Sequence, residues 1–127
     1  MPVRVMLVED NDVFREALEL MLGMREEIEV VASVGDGAAA VEAALEHRPD
    51  VVLMDYRMPG LDGVEATALL LAQLPDLRVV ALTASADNVQ RRALLAAGAV
   101  ACLGKDEELD EIVAALQQAA QMSDDRP

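Results

Sequence analysis

The residues most able to do chemistry together are three carboxylates, a hydroxyl and an ammonium group: Glu9, Asp10, Asp55, Thr83 and Lys105. Three carboxylates in one pocket repel one another and need a compensating cation. An oxygen-only ligand set at a shallow, wet site favours Mg²⁺, which keeps several waters and accepts phosphate as a co-ligand. A carboxylate such as Asp55 can also attack phosphorus, and Thr83 and Lys105 could then bind the other phosphoryl oxygens. The set predicts magnesium-assisted phosphoryl transfer to Asp55, provided that the fold brings these residues together.

Apolar runs typical of buried parallel strands alternate with amphipathic stretches typical of helices. The predicted strands cover residues 3–8, 28–34, 51–54, 77–83 and 100–103. The predicted helices cover residues 38–47 and 86–97 and a last segment from 106 onward. Two more follow predicted N-caps: one runs to about residue 24 after a cap at Asn11 or Asp12, and one runs to about residue 74 after a cap at Asp62. This alternation predicts an α/β fold of the flavodoxin-like (βα)5 type, a three-layer sandwich whose parallel sheet has the order 2-1-3-4-5.

The predicted sheet explains how the polar residues could meet. Such sheets bind ligands at the carboxyl ends of their strands, at the switch point between strands 1 and 3. Glu9 and Asp10 end strand 1 and Asp55 ends strand 3, while Thr83 and Lys105 follow strands 4 and 5 on the far side of the pocket. We expect one domain over residues 1–122, followed by a flexible tail or the start of a linker at 123–127.

Composition narrows the class of protein further. The chain has 127 residues, of which 54% are hydrophobic and 2% aromatic, so the core must consist of aliphatic side chains. With a net charge of −14, the segment is not expected to bind nucleic acid or anionic membranes directly, because phosphates would be repelled. No apolar run approaches the roughly 20 residues of a membrane span. The single cysteine, Cys102, and an N-terminus unlike a signal peptide predict a cytoplasmic protein.

Four segments resemble the receiver domains of two-component response regulators. Residues 52–63 (VLMDYRMPGLDG) resemble the phosphoacceptor segment of those receivers, and residues 8–11 (VEDN) resemble their acidic pair. Residues 82–84 (LTA) and 98–105 (GAVACLGK) resemble their hydroxyl segment and their last strand with its lysine. The resemblance extends from residue 3 to about residue 121 and is greatest to receivers that precede a LuxR-type helix-turn-helix domain.

The resemblance implies a role for each of these residues. Asp55 would accept a phosphoryl group from a histidine kinase or a small acyl phosphate, and Thr83 and Lys105 would hold that group. The implied Mg²⁺ ligands are Glu9, Asp10, Asp55 and the main-chain carbonyl of Arg57. Such a protein is not an enzyme beyond its own phosphotransfer and autodephosphorylation. It would switch a partner protein or an output domain, such as a DNA-binding domain, that this segment lacks.

Three further positions bear on how such a receiver would switch. Arg57 and Ser85 occupy the variable positions thought to tune dephosphorylation. Many receivers carry Tyr or Phe three residues before the lysine, where this sequence has Cys102. Because no ring can swing inward at Cys102, we hypothesise that the switch runs through the loop from Thr83 to Asp87 alone.

Other interpretations of the same residues stay open. Haloacid-dehalogenase-type phosphohydrolases also phosphorylate an aspartate after a parallel strand, but they need a second Asp two residues later, where this chain has Arg57. The chain could also be a receiver-like interaction module that works without phosphorylation. Taken singly, Glu9 and Asp10 could be a loop and a helix cap, and Lys105 a solvated surface lysine. Finally, basic Arg91 and Arg92 could face the acidic start of the last helix across a phosphorylation-dependent homodimer.

Overall fold

The structure is a computed structural model that describes residues 2–56, 61–84 and 88–122. Strands and helices alternate strictly through these residues. The strands are β1 (Val3–Val8), β2 (Ile28–Val34), β3 (Val51–Asp55), β4 (Arg78–Thr83) and β5 (Ala101–Gly104). The helices are α1 (Asp12–Gly23), α2 (Gly37–His47), α3 (Gly63–Gln73), α4 (Asn88–Ala97) and α5 (Leu109–Ala120). The predicted tail at 123–127 lies outside the described residues.

All five strands are parallel and form one sheet in the order β2-β1-β3-β4-β5. The predicted flavodoxin-like order is therefore confirmed. β1 and β3 are neighbours in the sheet, although α1, β2 and α2 separate them in sequence. From β1 the chain adds β2 on one side and then returns to add β3, β4 and β5 on the other side. This is the switch point at which doubly wound sheets bind ligands.

Two hydrophobic cores cover the two faces of the sheet. Side chains alternate along β1, so that Met6 and Val8 pack in one core while Val5 and Leu7 pack in the other. The first core also contains apolar residues of α2, α3 and α4, and the second contains those of α1 and α5. Burial on both faces explains why the central strands are continuous apolar runs. It also fixes the strand register, because a slip by one residue would exchange the two sets of side chains.

Helix N-caps fix where three of the helices start. The side chains of Asn11, Asp36 and Asp62 accept hydrogen bonds from the backbone N–H groups of Phe14, Ala39 and Glu65, at 3.0, 2.7 and 2.9 Å. A carboxylate or amide at this position satisfies one of the N–H groups that a helix start leaves unpaired. Asp62 is therefore a helix cap, as its place in the sequence predicts.

The last helix begins later than predicted, at Leu109 and not at residue 106. The backbone N–H of Lys105 donates to the carbonyl of Thr83 at 2.9 Å, which extends the pairing of β4 with β5. The N–H of Glu107 then donates to the Gly104 carbonyl at 3.1 Å and closes a turn. The predicted start of α4 at 86 lies outside the described residues. No helix in the part of the chain that the structure describes is long and apolar enough to cross a membrane.

Candidate functional site

The carboxylates of Glu9, Asp10 and Asp55 meet at the carboxyl edge of the sheet. Val8 pairs with Met54 in the ladder between β1 and β3, so the residues that follow leave adjacent strands side by side. Ligand oxygens of the three carboxylates all lie within 4.8 Å of one another. The structure thus brings together the three acidic residues that the strand order predicts to be neighbours.

Burial divides the three carboxylates into two kinds. Glu9 and Asp55 are 2% and 3% exposed, whereas Asp10 is exposed. The site is therefore less shallow than the sequence suggests, because only Asp10 keeps open contact with water. The donor set still fits Mg²⁺, which prefers carboxylate oxygens and retains part of its water shell on the open side. Glu9, Asp10 and Asp55 are the described residues that could hold this ion.

Lys105 reaches into the cluster from the end of β5. Its Nζ lies 2.7 Å from Oε1 of Glu9 and 3.3 Å from Oδ1 of Asp55. The ammonium also lies 4.8 Å from the centroid of the Phe14 ring, which attracts it by a cation–π interaction. One ammonium against two buried carboxylates leaves one uncompensated negative charge, and Asp10 adds a second. The cluster therefore retains a net attraction for a divalent cation even with Lys105 in place.

The proton affinities of Asp55 and Lys105 reflect this crowding. Burial raises the pKa of Asp55 to about 7, helped by the hydrogen bond and the negative charge of Glu9 and opposed by Lys105. Burial alone would lower the pKa of Lys105, but its hydrogen bond to Glu9 and the nearby carboxylate charges outweigh burial and raise that pKa. Near neutral pH, Asp55 therefore holds a proton part of the time while Lys105 stays charged. A cation that binds Asp55 would have to displace that proton.

The backbone around Glu9 is held by residues whose role is not evident from the sequence. The N–H of Asn11 donates to Oε2 of Glu9 at 3.0 Å, and the Arg15 guanidinium donates to the Glu9 carbonyl at 2.7 Å. Arg15 also forms an ion pair with Asp12 at 2.9 Å. Arg15 stands one helical turn after the cap Asn11, so it lies over the end of β1, and that spacing is the one sequence signal for its position.

Gly63 lets the start of α3 pack directly against the end of β3. Its N–H donates to the carbonyl of Tyr56 at 2.8 Å. A Cβ at this position would lie 2.5 Å from the carbonyl oxygen of Asp55 and 2.8 Å from Cα of Tyr56, which no ordinary packing allows. The absence of a side chain at Gly63 therefore fixes where the Asp55 backbone lies.

Thr83 is placed beside the cluster by the strand register. Asp55 pairs with Leu82, and Thr83 is the next residue and the last of β4. Thr83 is buried, and its hydroxyl donates to Oε1 of Gln90 in the first turn of α4 at 3.2 Å. Sequence reasoning missed this contact, because a glutamine in an amphipathic helix carries no signal of its partner.

Arg57 and Ser85, which are expected to contribute to the site, lie outside the described residues. The same is true of most of the loop from Thr83 to Asp87, through which the switch is hypothesised to run. Cys102 is described: it lies on β5, partly buried, opposite Ala81. Its carbonyl accepts a hydrogen bond from the Arg91 guanidinium at 2.9 Å. Burial raises the pKa of the Cys102 thiol, opposed by the positive charge of Arg91.

Proteins of known family are similar to this chain in sequence and in fold. The response regulator receiver domain family matches residues 5–117. The transcriptional regulatory protein LnrK of Bacillus subtilis is 40% identical over 114 residues, which are 90% of this chain and 52% of LnrK. The response regulator GacA of Pseudomonas aeruginosa is 38% identical over 116 residues, 91% of this chain and 54% of GacA. The chain thus spans about half the length of these curated relatives.

Solved structures agree with the sequence comparison. The signal receiver domain of a NarL response regulator from Mycobacterium tuberculosis superimposes with a TM-score of 0.91 at 36% identity, over 96% of this chain and 98% of that one. A two-component response regulator of the LuxR family from Aurantimonas gives a TM-score of 0.89 at 28% identity, over 94% of this chain and 86% of that one. The family match covers most of the chain and the fold agrees, so the chain belongs to the response regulator receiver domain family of two-component signalling.

Proposed function

We propose that this receiver accepts a phosphoryl group on Asp55 from the phosphohistidine of a histidine kinase, with Mg²⁺ bound beside it. The observation that carries the proposal is the carboxylate cluster, in which oxygens of Glu9, Asp10 and Asp55 lie within 4.8 Å of one another. The contacts of Lys105 with Glu9 and Asp55 support it further, because a cation beside Asp55 would neutralise charge on an incoming phosphoryl group. Membership of the receiver family is consistent with this chemistry.

Each residue has a part in the transfer. A carboxylate oxygen of Asp55 attacks phosphorus while the bond to the kinase histidine nitrogen breaks, and the histidine leaves with the bonding electron pair. When bound, Mg²⁺ supplies positive charge to the phosphoryl oxygens. The residues that would hold the metal are Glu9, Asp10 and Asp55, together with the main-chain carbonyl of Arg57. The transfer needs little covalent chemistry from the protein beyond positioning and charge neutralisation.

The phosphoryl group would also rearrange its neighbours. The Lys105 ammonium exchanges a carboxylate contact for a phosphoryl oxygen, and the Thr83 hydroxyl donates to another. Water later hydrolyses the acyl phosphate, which returns the Asp55 carboxylate and releases inorganic phosphate. Arg57 and Ser85, at the two positions that vary among such receivers, would set the rate of this hydrolysis. The protein thus acts as a phosphoacceptor and not as an enzyme on an external substrate.

The curated relatives indicate what this receiver would control. LnrK is a transcriptional regulatory protein, and the matched region is about half of it. We propose that this segment likewise controls transcription through an output domain or a partner, and that it acts in the cytoplasm. The net charge of −14 argues against direct contact with DNA by this segment.

A phosphorylation-dependent homodimer is a second proposal on partners. The basic residues of α4 and the acidic start of α5 are its basis, but some of these charges have partners within the chain. Arg91 donates to the Cys102 carbonyl, and Asp110 forms an ion pair with Arg25. A dimer would therefore use Arg92, which is exposed, or exchange these contacts. Sedimentation of the unmodified and phosphorylated forms tests this: identical monomers in both would exclude the dimer.

Intact mass spectrometry tests the phosphoacceptor chemistry. The protein is incubated with Mg²⁺ and acetyl phosphate beside an Asp55→Asn variant and an Asp36→Asn control, which makes the same change at an exposed helix cap. We expect one phosphoryl group on the wild type and the control, none on Asp55→Asn, and none on any form after chelation. If no form gains mass, even with phosphorylated cognate kinase, the protein is a phosphorylation-independent interaction module.

A further inference from the structure

The contact between Thr83 and Gln90 joins the end of β4 to the first turn of α4. The Thr83 hydroxyl lies 3.2 Å from Oε1 of Gln90 and donates its proton to it. Thr83 is 2% exposed and Gln90 is partly buried, so the contact is largely shielded from water. The pairing of Asp55 with Leu82 places Thr83 next to the phosphoacceptor, whereas Gln90 lies seven residues further along the chain.

We propose that Gln90 is a positioning residue that withholds the Thr83 hydroxyl from the site, and that it competes with the phosphoryl group for the proton of this hydroxyl. The inference rests on the proposed function, because it assumes that Thr83 donates to a phosphoryl oxygen. Gln90 takes part in the reaction only through Thr83. The contact between the two residues is then the route by which the state of Asp55 reaches α4.

The competition follows from the number of protons available. A threonine hydroxyl has one proton and can donate it in one direction at a time. A hydrogen bond to a charged phosphoryl oxygen is roughly twice as strong as one between neutral groups such as Thr83 and Gln90. Phosphorylation of Asp55 should therefore draw the hydroxyl away from Gln90. Because this contact must break before the hydroxyl can donate to the phosphoryl group, a stronger Thr83–Gln90 contact weakens the binding of that group.

A second contact shows which part of α4 would respond. Arg91 is the residue after Gln90, and its guanidinium donates to the carbonyl of Cys102 on β5 at 2.9 Å. The first turn of α4 is thus hydrogen-bonded both to β4, through Gln90, and to β5, through Arg91. Loss of the Thr83 contact would remove the hydrogen bond to β4 and leave the one to β5. Because Cys102 has no ring that could follow Thr83, the Gln90 contact supplies a link between Thr83 and the α4–β5 surface.

Binding of beryllofluoride, a phosphoryl mimic, tests the inference in the presence of Mg²⁺. We compare Gln90→Leu with wild type by isothermal titration calorimetry, with Gln118→Leu on the exposed face of α5 as a matched control. Removing the competitor should tighten binding about two- to tenfold, the range that one net hydrogen bond allows. Gln118→Leu should bind as the wild type does. Gln90→Glu, a stronger acceptor, should bind more weakly than wild type.

A double-mutant cycle separates this role from a merely structural one. Thr83→Val keeps the shape of the side chain but has no proton to donate, so Gln90→Leu should change the affinity little in that background. An unchanged affinity in Gln90→Leu, or an equal gain with and without the Thr83 hydroxyl, would overturn the inference while leaving the phosphoacceptor function intact. Failure of the wild type to bind beryllofluoride would instead overturn the proposed function, and this inference with it.

Discussion

Replacing Asp55 with asparagine should stabilise the metal-free protein, and the gain should depend on pH. Asp55 is 3% exposed and shares its pocket with Glu9, while Lys105 compensates only one of the two carboxylates. An Asp55→Asn variant keeps the shape of the side chain and leaves Glu9 and Lys105 as a neutral pair. The substitution thus removes a buried charge that the fold does not fully compensate.

The pKa of Asp55 sets the magnitude and the pH range of this effect. Burial raises that pKa to about 7 from 3.8. A raised acid pKa means that the folded state binds more protons than the unfolded state between these values, so stability falls as pH rises from about 4 to about 7. Roughly three pKa units at about 1.4 kcal/mol each give a ceiling of about 4 kcal/mol. Because Asp55 titrates together with neighbouring charged groups, part of this free energy belongs to those groups. We therefore expect Asp55→Asn to raise the free energy of unfolding by about 2 to 4 kcal/mol at pH 8 and to leave it unchanged near pH 4.

Thermal unfolding followed by circular dichroism from pH 4 to pH 9 without Mg²⁺ measures this difference. For a chain of this size, the expected gain corresponds to a rise of about 8 to 15 °C in Tm at pH 8. Asp36→Asn serves as the control, because asparagine caps a helix as well as aspartate does and its Tm should not move. Added Mg²⁺ should raise the Tm of the wild type and narrow the difference. Equal Tm values for wild type and Asp55→Asn at pH 8 would refute the assignment of an uncompensated buried charge to this site.

Three further predictions concern the same cluster. Mg²⁺ affinity, measured by calorimetry, should fall by up to tenfold per pH unit below about 7, because Asp55 must lose its proton to bind; a flat profile from pH 8 to pH 6 would contradict this. Gly63→Ala should cost about 1 to 3 kcal/mol of stability and weaken Mg²⁺ binding, because the new Cβ would displace the Asp55 backbone. Gly23→Ala, with open space around its Cβ, is the matched control and should be neutral or stabilising. Lys105→Met leaves Glu9 and Asp55 without their cation and should lower the free energy of unfolding by about 1 to 3 kcal/mol at pH 8, a loss that added Mg²⁺ should partly reverse.

The fold could be predicted because burial constrains it at every level. A strand such as β3 (Val51–Asp55) is apolar on both faces, and only a sheet with helices on both sides buries such a run. Once the strands are parallel and β1 lies beside β3, the polar residues that follow them must share one edge. The convergence of Glu9, Asp10 and Asp55 therefore needs only strand order and strand ends, and both can be inferred from hydrophobic pattern.

The start of α5 could not be placed in this way. The acidic residues from 106 onward suit the first turn of a helix as well as they suit a turn before it, because both leave their side chains in water. The choice depends on backbone hydrogen bonds from Lys105 to Thr83 and from Glu107 to Gly104. Those bonds depend on how far β5 extends along β4, and the apolar pattern does not record that distance. Helix boundaries are uncertain wherever polar residues satisfy either conformation.

The contacts of the polar side chains in the site also could not be predicted from the sequence. These contacts determine how the site is arranged before phosphorylation. The sequence marks Lys105 and Thr83 as ligands of a phosphoryl group, but each has another partner within the chain: Lys105 contacts Glu9 and Asp55, and Thr83 donates to Gln90. A phosphoryl group on Asp55 would have to take both side chains from these partners. The free energy of phosphorylation is then a difference between two sets of contacts, and not the sum of the new ones. One exchange stays within the charged cluster, whereas the other releases a residue of α4. Of these two exchanges, the loss of the Gln90 contact is the one that would change a contact of α4, because Glu9 and Asp55 belong to the site itself.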